Sequence, residues 1–404
     1  MNHQRGDTGL RAALAFAIGL LCGASAVAQT AQPVKIGLLS DMSGVVADLS
    51  GAGSVAAARL AIEDAGGKVL NRPIELLEGD HLNKPDTGMA IARQWYDGGV
   101  RAIFDVGLTS VALGVQELAR DKDRIVVFNS TASADLIGKN CSPNGFMWAY
   151  ENYVWSLGAV KAMVATGAKT WYFITADYTF GKNIQRDTTA LIEATGGKVI
   201  GSTTHAFTAT DFSSQLLQAQ ASRADVIGLA TTTIHAAALI KQADEFGIRQ
   251  QGQKIAPLGL HMNSVKAMGL KVAQGLTTTD PFYWDQSAAT RAFSTRYMAR
   301  TGKMPNLIQA SVYSAVAHYL KSVAAAGSTD TQAVIAKMRA TPINDFMTQN
   351  GAIREDGRVM RDFYVFRVKK PAESKGEWDL YAPVSTLPAA QAARPLDKAC
   401  ALVK

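Results

Sequence analysis

Short apolar runs that alternate with helical segments constrain this chain more than any other feature. The first run, Val34 to Leu39, is followed by helical spacing of Ala58, Ala61 and Ile62 within 55–64, closed by Gly66-Gly67. Extended stretches at 73–77, 102–106 and 125–128 then alternate with helices at 85–96 and 110–120. After residue 150 the pattern restarts. Helices at 155–165, 180–195, 212–222 and 234–246 alternate with strands at 170–175, 198–204, 225–230 and 255–258. Strands that are apolar throughout, rather than at every second residue, are buried on both faces, and helices on both sides of a parallel sheet provide that cover. The predicted fold class is therefore α/β, with two doubly wound lobes of parallel sheet divided near residue 150.

Beyond these units come a strand at 275–279, helices at 287–301, 307–326 and 331–339, and extended stretches at 362–369 and 377–384. They do not read as a third core and are expected to serve the first two. With 404 residues, 48% of them hydrophobic and 19% charged, the chain can fill both cores. The net charge of +7 is spread without a block of like charges, so the footprint of a nucleic-acid binder is missing. The densest basic stretch, 367–375, also holds Pro371 and Glu373 and reads as a solvated turn.

The first 28 residues read as an address. Arg5 and Arg11 precede an uncharged run ending in Ala26-Val27-Ala28, the pattern of a secretory signal peptide cleaved after Ala28. Leu20 and Leu21 precede Cys22, where a lipoprotein would carry a small residue, so a free periplasmic protein without stable membrane insertion is expected. Removal of the leader leaves Cys141 and Cys400. In an oxidising compartment they form one disulfide, or else stay as two buried thiols.

Requirements for catalysis are unmet. The histidines at 3, 81, 205, 235, 261 and 318 include no i, i+4 pair and have no cysteine pair nearby, so no metal site is expected. Nucleophile-elbow and P-loop patterns are absent. Gly51-Ala52-Gly53-Ser54-Val55-Ala56 fits G-x-G-x-x-A in letters, but lies too far after Leu39 for the tight turn of a dinucleotide site. Neither a cofactor nor an enzymatic activity is expected. Open parallel sheets bind ligands at the carboxyl ends of their strands, so the short polar loops at 40–44, 108–110, 129–133, 177–181 and 231–233 are where function is sought.

The opening VKIGLLSDMSGVVADLSGAGSVAAARLAIEDAGGKVLNRPIELLEGD resembles the start of periplasmic substrate-binding proteins of ABC importers, in the branched-chain amino-acid-binding class. The likeness continues through VGLTSVAL, ITADYTFGK, DFSSQLLQAQASRADVIGLA and QADEFGI. It implies a type I periplasmic binding protein: two lobes on a hinge of three crossovers, closing on a small ligand that is handed to transmembrane permease subunits. A ligand sensor on the same fold is the alternative. Lobe 1 would take residues 34–150 plus 280–345, lobe 2 residues 151–279 plus 346–385, and a tail 386–404. The resemblance implies that Leu108, Thr109 and Ser110 meet a ligand carboxylate through hydroxyls and helix-start amides, Ser110 foremost. Ser130, Thr131 and Ala132 match a second contact, Ala132 through its backbone alone. Tyr178 and Phe180 match an aromatic segment that closes over the ligand, and His261 is a candidate donor to a ligand oxygen.

One departure from the family bears on the ligand. An acidic residue that pairs with an amino acid's ammonium is expected after a second-lobe strand, yet no Asp or Glu lies between Glu245 and Asp280. A buried ammonium without an anion is strongly disfavoured. A carboxylate without an α-ammonium is therefore favoured: a keto, hydroxy or aromatic acid. Asp48, Asp177 or Asp211 could supply the charge for an amino acid such as leucine, isoleucine or valine.

Overall fold

Continuous apolar strands need cover on two sides, and the computed structural model, which describes residues 32–404, shows how the chain supplies it. The expected signal peptide, its cleavage after Ala28 and Cys22 lie outside the described residues. The first lobe runs β1 (Val34–Ser40), α1 (Gly51–Asp64), β2 (Lys68–Val69), β3 (Arg72–Asp80), α2 (Pro85–Asp97) and β4 (Ala102–Asp105). It continues with α3 (Thr109–Asp121), β5 (Ile125–Phe128) and β6 (Gly145–Met147). The strands lie in the order β2-β3-β1-β4-β5-β6, parallel except for the β2–β3 hairpin. Alternate residues of β4 and β5 serve opposite faces. Ile103 and Val126 pack with Trp95, Val111 and Val115 of α2 and α3, while Phe104 and Val127 join the core beneath α1.

The second lobe starts with α4 (Asn152–Val164), β7 (Thr170–Ala176), α5 (Thr179–Ala194), β8 (Lys198–His205) and α6 (Ser213–Ala221). There follow β9 (Val226–Ala230), α7 (Thr233–Glu245), β10 (Lys254–Pro257), α8 (Met262–Met268) and α9 (Leu270–Ala273). Its four parallel strands lie in the order β10-β9-β7-β8. The expected α/β class with parallel sheets in two lobes is thus what the chain forms.

The remaining elements are β11 (Thr277–Asp280), α10 (Ala288–Thr301), α11 (Leu307–Ala326), α12 (Thr331–Ala340), β12 (Ala352–Ile353) and β13 (Val359–Met360). Then come β14 (Phe363–Val368), β15 (Tyr381–Leu387) and α13 (Ala389–Ala392). Here the structure departs from a purely parallel reading. β11, β14 and β15 form an antiparallel three-stranded sheet; the link from β14 to β15 holds only one helical turn, Pro371–Glu373, and no crossover helix. Phe366, Val368 and Tyr381 carry this sheet into the second lobe's core. α10 and α11 pack on α1 instead. Residues 346–361, expected in the second lobe, also side with the first: Met147 N donates to Gly357 O at 3.0 Å, and Met147 bridges Arg358.

Cys141 and Cys400 are disulfide-bonded, which ties the C-terminal tail to the segment before β6. Among the described residues no helix is long and apolar enough to cross a membrane.

Candidate functional site

The carboxyl ends of both parallel sheets meet around a cavity of about 80 Å³. From the first lobe, Leu49, Ser50, Leu108, Thr109, Ser130 and Thr131 line it. Tyr178, Phe180, Phe207, Thr232, Thr233 and His261 face them from the second lobe. Tyr150 and Trp155, from the stretch that joins the lobes, complete the aromatic part.

Helix starts converge here. α1, α3 and α5 begin after Ser50, Leu108 and Tyr178, none of which caps its helix with its own side chain; at α1 the first amide, Gly51 N, donates instead to Ser40 Oγ at 3.0 Å. Leucine and tyrosine cannot cap as Ser, Thr, Asp or Asn do, at a cost of about 1 kcal/mol each. The N–H groups left over, with the positive ends of the helix dipoles, suit an anion.

The loop before α3 is strained to reach this position. Asp105, Val106 and Leu108 have φ of 78°, 46° and 54°, a region that costs non-glycine residues roughly 1–3 kcal/mol. Buried hydrogen bonds hold it. Ser40 Oγ donates to Asp105 Oδ2 at 2.7 Å, Asp105 N to Asn129 Oδ1 at 3.2 Å and Thr131 Oγ1 to Val106 O at 2.5 Å. Burial pushes the Asp105 carboxyl's pKa up, with the Ser40 hydroxyl working against it.

Second-lobe hydroxyls are oriented by histidines. His205 Nε2 lies 2.9 Å from Thr231 Oγ1, and His235 Nδ1 lies 3.0 Å from Thr232 Oγ1. Thr233 Oγ1 donates to Ser264 Oγ at 3.0 Å and accepts from His261 N at 3.0 Å. The Tyr150 and Trp155 rings stack at 4.2 Å, and His261 packs edge-on against Trp155 at 5.2 Å. A Cβ at Gly259 would stand 2.9 Å from the Trp155 ring, so only glycine lets the indole lie against that backbone. Burial pushes the His261 pKa down to about 4, so the ring is neutral at pH 7.

Of the residues expected at the site, Leu108, Thr109, Ser130, Thr131, Ala132, Tyr178, Phe180 and His261 line the cavity. Ser110 does not. Successive helical residues point about 100° apart, so when α3 turns Thr109 inward the Ser110 side chain points away from the cavity. Tyr150, Trp155 and Phe207 were not expected; an aromatic pair at the division between the units was the available signal. Thr231–Thr233 stood among the strand-end loops but not among the ligand contacts.

No Lys, Arg, Asp or Glu is among the described lining residues. Asp48 pairs with Lys303 at 2.5 Å and accepts from Asn263 Nδ2 at 3.0 Å. Asp177 pairs with Lys182 at 2.9 Å, and Asp211 accepts from Ser213 N at 2.9 Å. Among the described residues no group of His, Cys, Asp and Glu could hold a metal ion.

Two α/β lobes that bring their strand ends and helix starts together around one small cavity define a type I binding protein. The chain belongs to the periplasmic binding protein family, whose model matches residues 33–377. It is 42% identical to a periplasmic binding protein from Burkholderia mallei, over 93% of this chain and 100% of that one, with a TM-score of 0.89. A branched-chain amino acid ABC transporter periplasmic ligand-binding protein from Burkholderia xenovorans is 40% identical over 90% of this chain and 97% of that one, at a TM-score of 0.81. An ABC transporter solute-binding protein from R. palustris, solved with benzoate, shares the fold at 19% identity and a TM-score of 0.80, over 91% of this chain and 99% of that one. No curated protein matches the chain. The expected kinship with ABC-importer binding proteins of the branched-chain amino-acid class therefore holds.

Proposed function

We propose that this protein is the periplasmic solute-binding component of an ABC importer and captures a small carboxylate that lacks an α-ammonium group, an aromatic or keto acid. The observation that carries this reading is the cavity's make-up. The uncapped starts of α3 and α5, threonine and tyrosine hydroxyls and aromatic faces surround it, with no charged side chain among the described lining residues. A carboxylate brings its own charge and finds N–H and O–H donors, each charge-assisted bond contributing about 1.5–3 kcal/mol. An α-ammonium would find no carboxylate there and be left desolvated. Micromolar capture needs about 8 kcal/mol, which a few such bonds and burial of a ring supply. That the R. palustris protein holds benzoate supports an aromatic acid as a ligand this fold accepts.

Contacts from both lobes bias the hinge towards closure, and the closed form is the one delivered to the permease subunits. No catalytic step belongs to this reading. Thermal-shift and calorimetric screening of the purified protein tests it. Benzoate or 4-methyl-2-oxopentanoate should raise the melting temperature, and leucine and valine should not. Stabilisation by leucine or valine alone overturns the ligand class and leaves the fold assignment standing. With a binding acid in hand, Thr109→Val should weaken affinity by about 1–3 kcal/mol while Ser110→Ala changes it little.

A further inference from the structure

Among the described residues His261 alone lines both the ligand cavity and a small inner cavity, which it shares with Asp280, Tyr283, Asn306 and Tyr381. His261 Nδ1 and Asp280 Oδ1 are both buried without a hydrogen-bond partner, in residues 3% and 2% exposed. An unpaired buried polar atom is costly, and each of these supplies what the other lacks, directly or across one water. Asp280 ends β11 and accepts from Thr278 Oγ1 at 3.4 Å. Its other oxygen is shared with the Trp155 indole N–H, also buried without a close partner. In the acid form it can accept from that N–H while its own O–H points to His261.

We propose that Asp280 is a positioning residue of the ligand site: its carboxylic acid holds His261 in the tautomer that offers an N–H, rather than a lone pair, to a bound carboxylate. For its ligand half this rests on the reading above; the tautomer half stands alone. With both groups neutral, the acid O–H donates to Nδ1 and the ring proton sits on Nε2. When Asp280 ionises, its proton leaves to solvent and the carboxylate becomes an acceptor only. The ring proton then moves from Nε2 to Nδ1, and Nε2 presents a lone pair to the ligand.

The electrostatics place this change in an accessible range. Burial pushes the Asp280 pKa up to about 8, against the Thr278 hydroxyl and the Trp155 indole N–H, which lower it. The other titratable groups around the pair are tyrosines: Tyr283 and Tyr381 in the inner cavity, Tyr150 beside His261, and Tyr364 opposite Asp280 across the β11–β14 pairing. Burial raises all four above the usual tyrosine value, so they stay neutral while Asp280 titrates. No Lys or Arg is among the described residues lining either cavity.

The test reads tautomer and affinity separately. In two-bond 15N–1H spectra of the ligand-free protein, with His261 assigned by its loss in H261Q, the ring should carry its proton on Nε2 at pH 6.5. It should shift to Nδ1 through an apparent pKa near 8. Asp280→Asn, whose amide also donates to Nδ1 and needs no buried proton, should fold and keep the Nε2–H form from pH 6.5 to 9.5. Benzoate affinity should fall about tenfold or more between pH 7 and 9.5 in the natural protein and stay flat in Asp280→Asn. A tautomer that does not change, or that changes equally in Asp280→Asn, overturns the proposal. So does benzoate affinity that is flat while the tautomer moves. If the tautomer switches but neither benzoate nor 4-methyl-2-oxopentanoate binds at any pH, the ligand reading fails and the Asp280–His261 link stands.

Discussion

Arg358→Ala should cost the folded protein about 3–5 kcal/mol, far more than any exposed charge deletion. Arg358 Nη1 lies 2.8 Å from Glu151 Oε1, with the two side chains 3% and 0% exposed. Glu151 sits where the chain leaves the first lobe, and its Oε2 accepts from Tyr153 N at 3.1 Å to cap α4. Arg394 of the tail is the next cation, 3.9 Å from Glu151 Oε2 and 3.6 Å from Asp187 Oδ2. Without Arg358 the carboxylate would keep the Tyr153 N–H and, as its only close cation, Arg394 at the longer distance, in a site closed to water. The cost is that of a buried charge left uncompensated, rather than the net worth of the pair. In urea titrations the midpoint should fall with the slope unchanged. Adding Glu151→Gln should recover part of the loss, since it removes the charge that was stranded. Arg59→Ala, which breaks the exposed pair with Glu78, should stay within about 1 kcal/mol. A loss of that size in Arg358→Ala as well would mean that Arg394 alone balances Glu151.

What could be read beforehand follows from how local the signal is. β4 and β5 are buried runs of four apolar-rich residues, and α11 has the bounds expected of it because Asn306 and Gly327 punctuate it in the sequence. The site's loops were legible for the same reason, being the polar ends of legible strands. The phase of α3 was not: choosing Thr109 over Ser110 needs the rotation of the helix against the sheet, which α2 and the core decide. Tyr150 follows β6, a strand of three residues that no periodicity reveals. β12 and β13 have two residues each, so the attachment of 346–361 to the first lobe rests on backbone contacts between Met147 and Gly357 that only the folded chain displays. The aromatic pair Tyr150 and Trp155 entered the site by the same route, through the path of the chain rather than its local pattern.

Opening the Cys141–Cys400 bond, by Cys400→Ser or by reduction, should lower stability by about 5 kcal/mol on the loop-entropy account, for a separation of 259 residues. Two effects add to this loss and can be told apart. One lies in the unfolded chain, which gains freedom whatever the native contacts are. The other lies in the folded tail. Between β15 and Cys400 the tail lays Ala392 O against Arg358 Nη2 at 3.3 Å and Arg394 O against Arg354 Nη1 at 2.9 Å, and it brings Arg394 to Glu151 and Asp187. The disulfide holds this segment at its far end, so its loss should loosen the same charge cluster that Arg358→Ala breaks. A double-mutant cycle separates the two. If the bond acts through the unfolded chain alone, the losses from Cys400→Ser and Arg358→Ala add to within about 0.5 kcal/mol. If the clamped tail shares the cluster, the double variant should lose about 0.5–3 kcal/mol more than the sum, because Arg394, the cation left to balance Glu151, is already loosened when Arg358 goes. The contacts of Ala392 and Arg394 point to the second outcome, with the bond serving the junction between the lobes as well as the length of the chain.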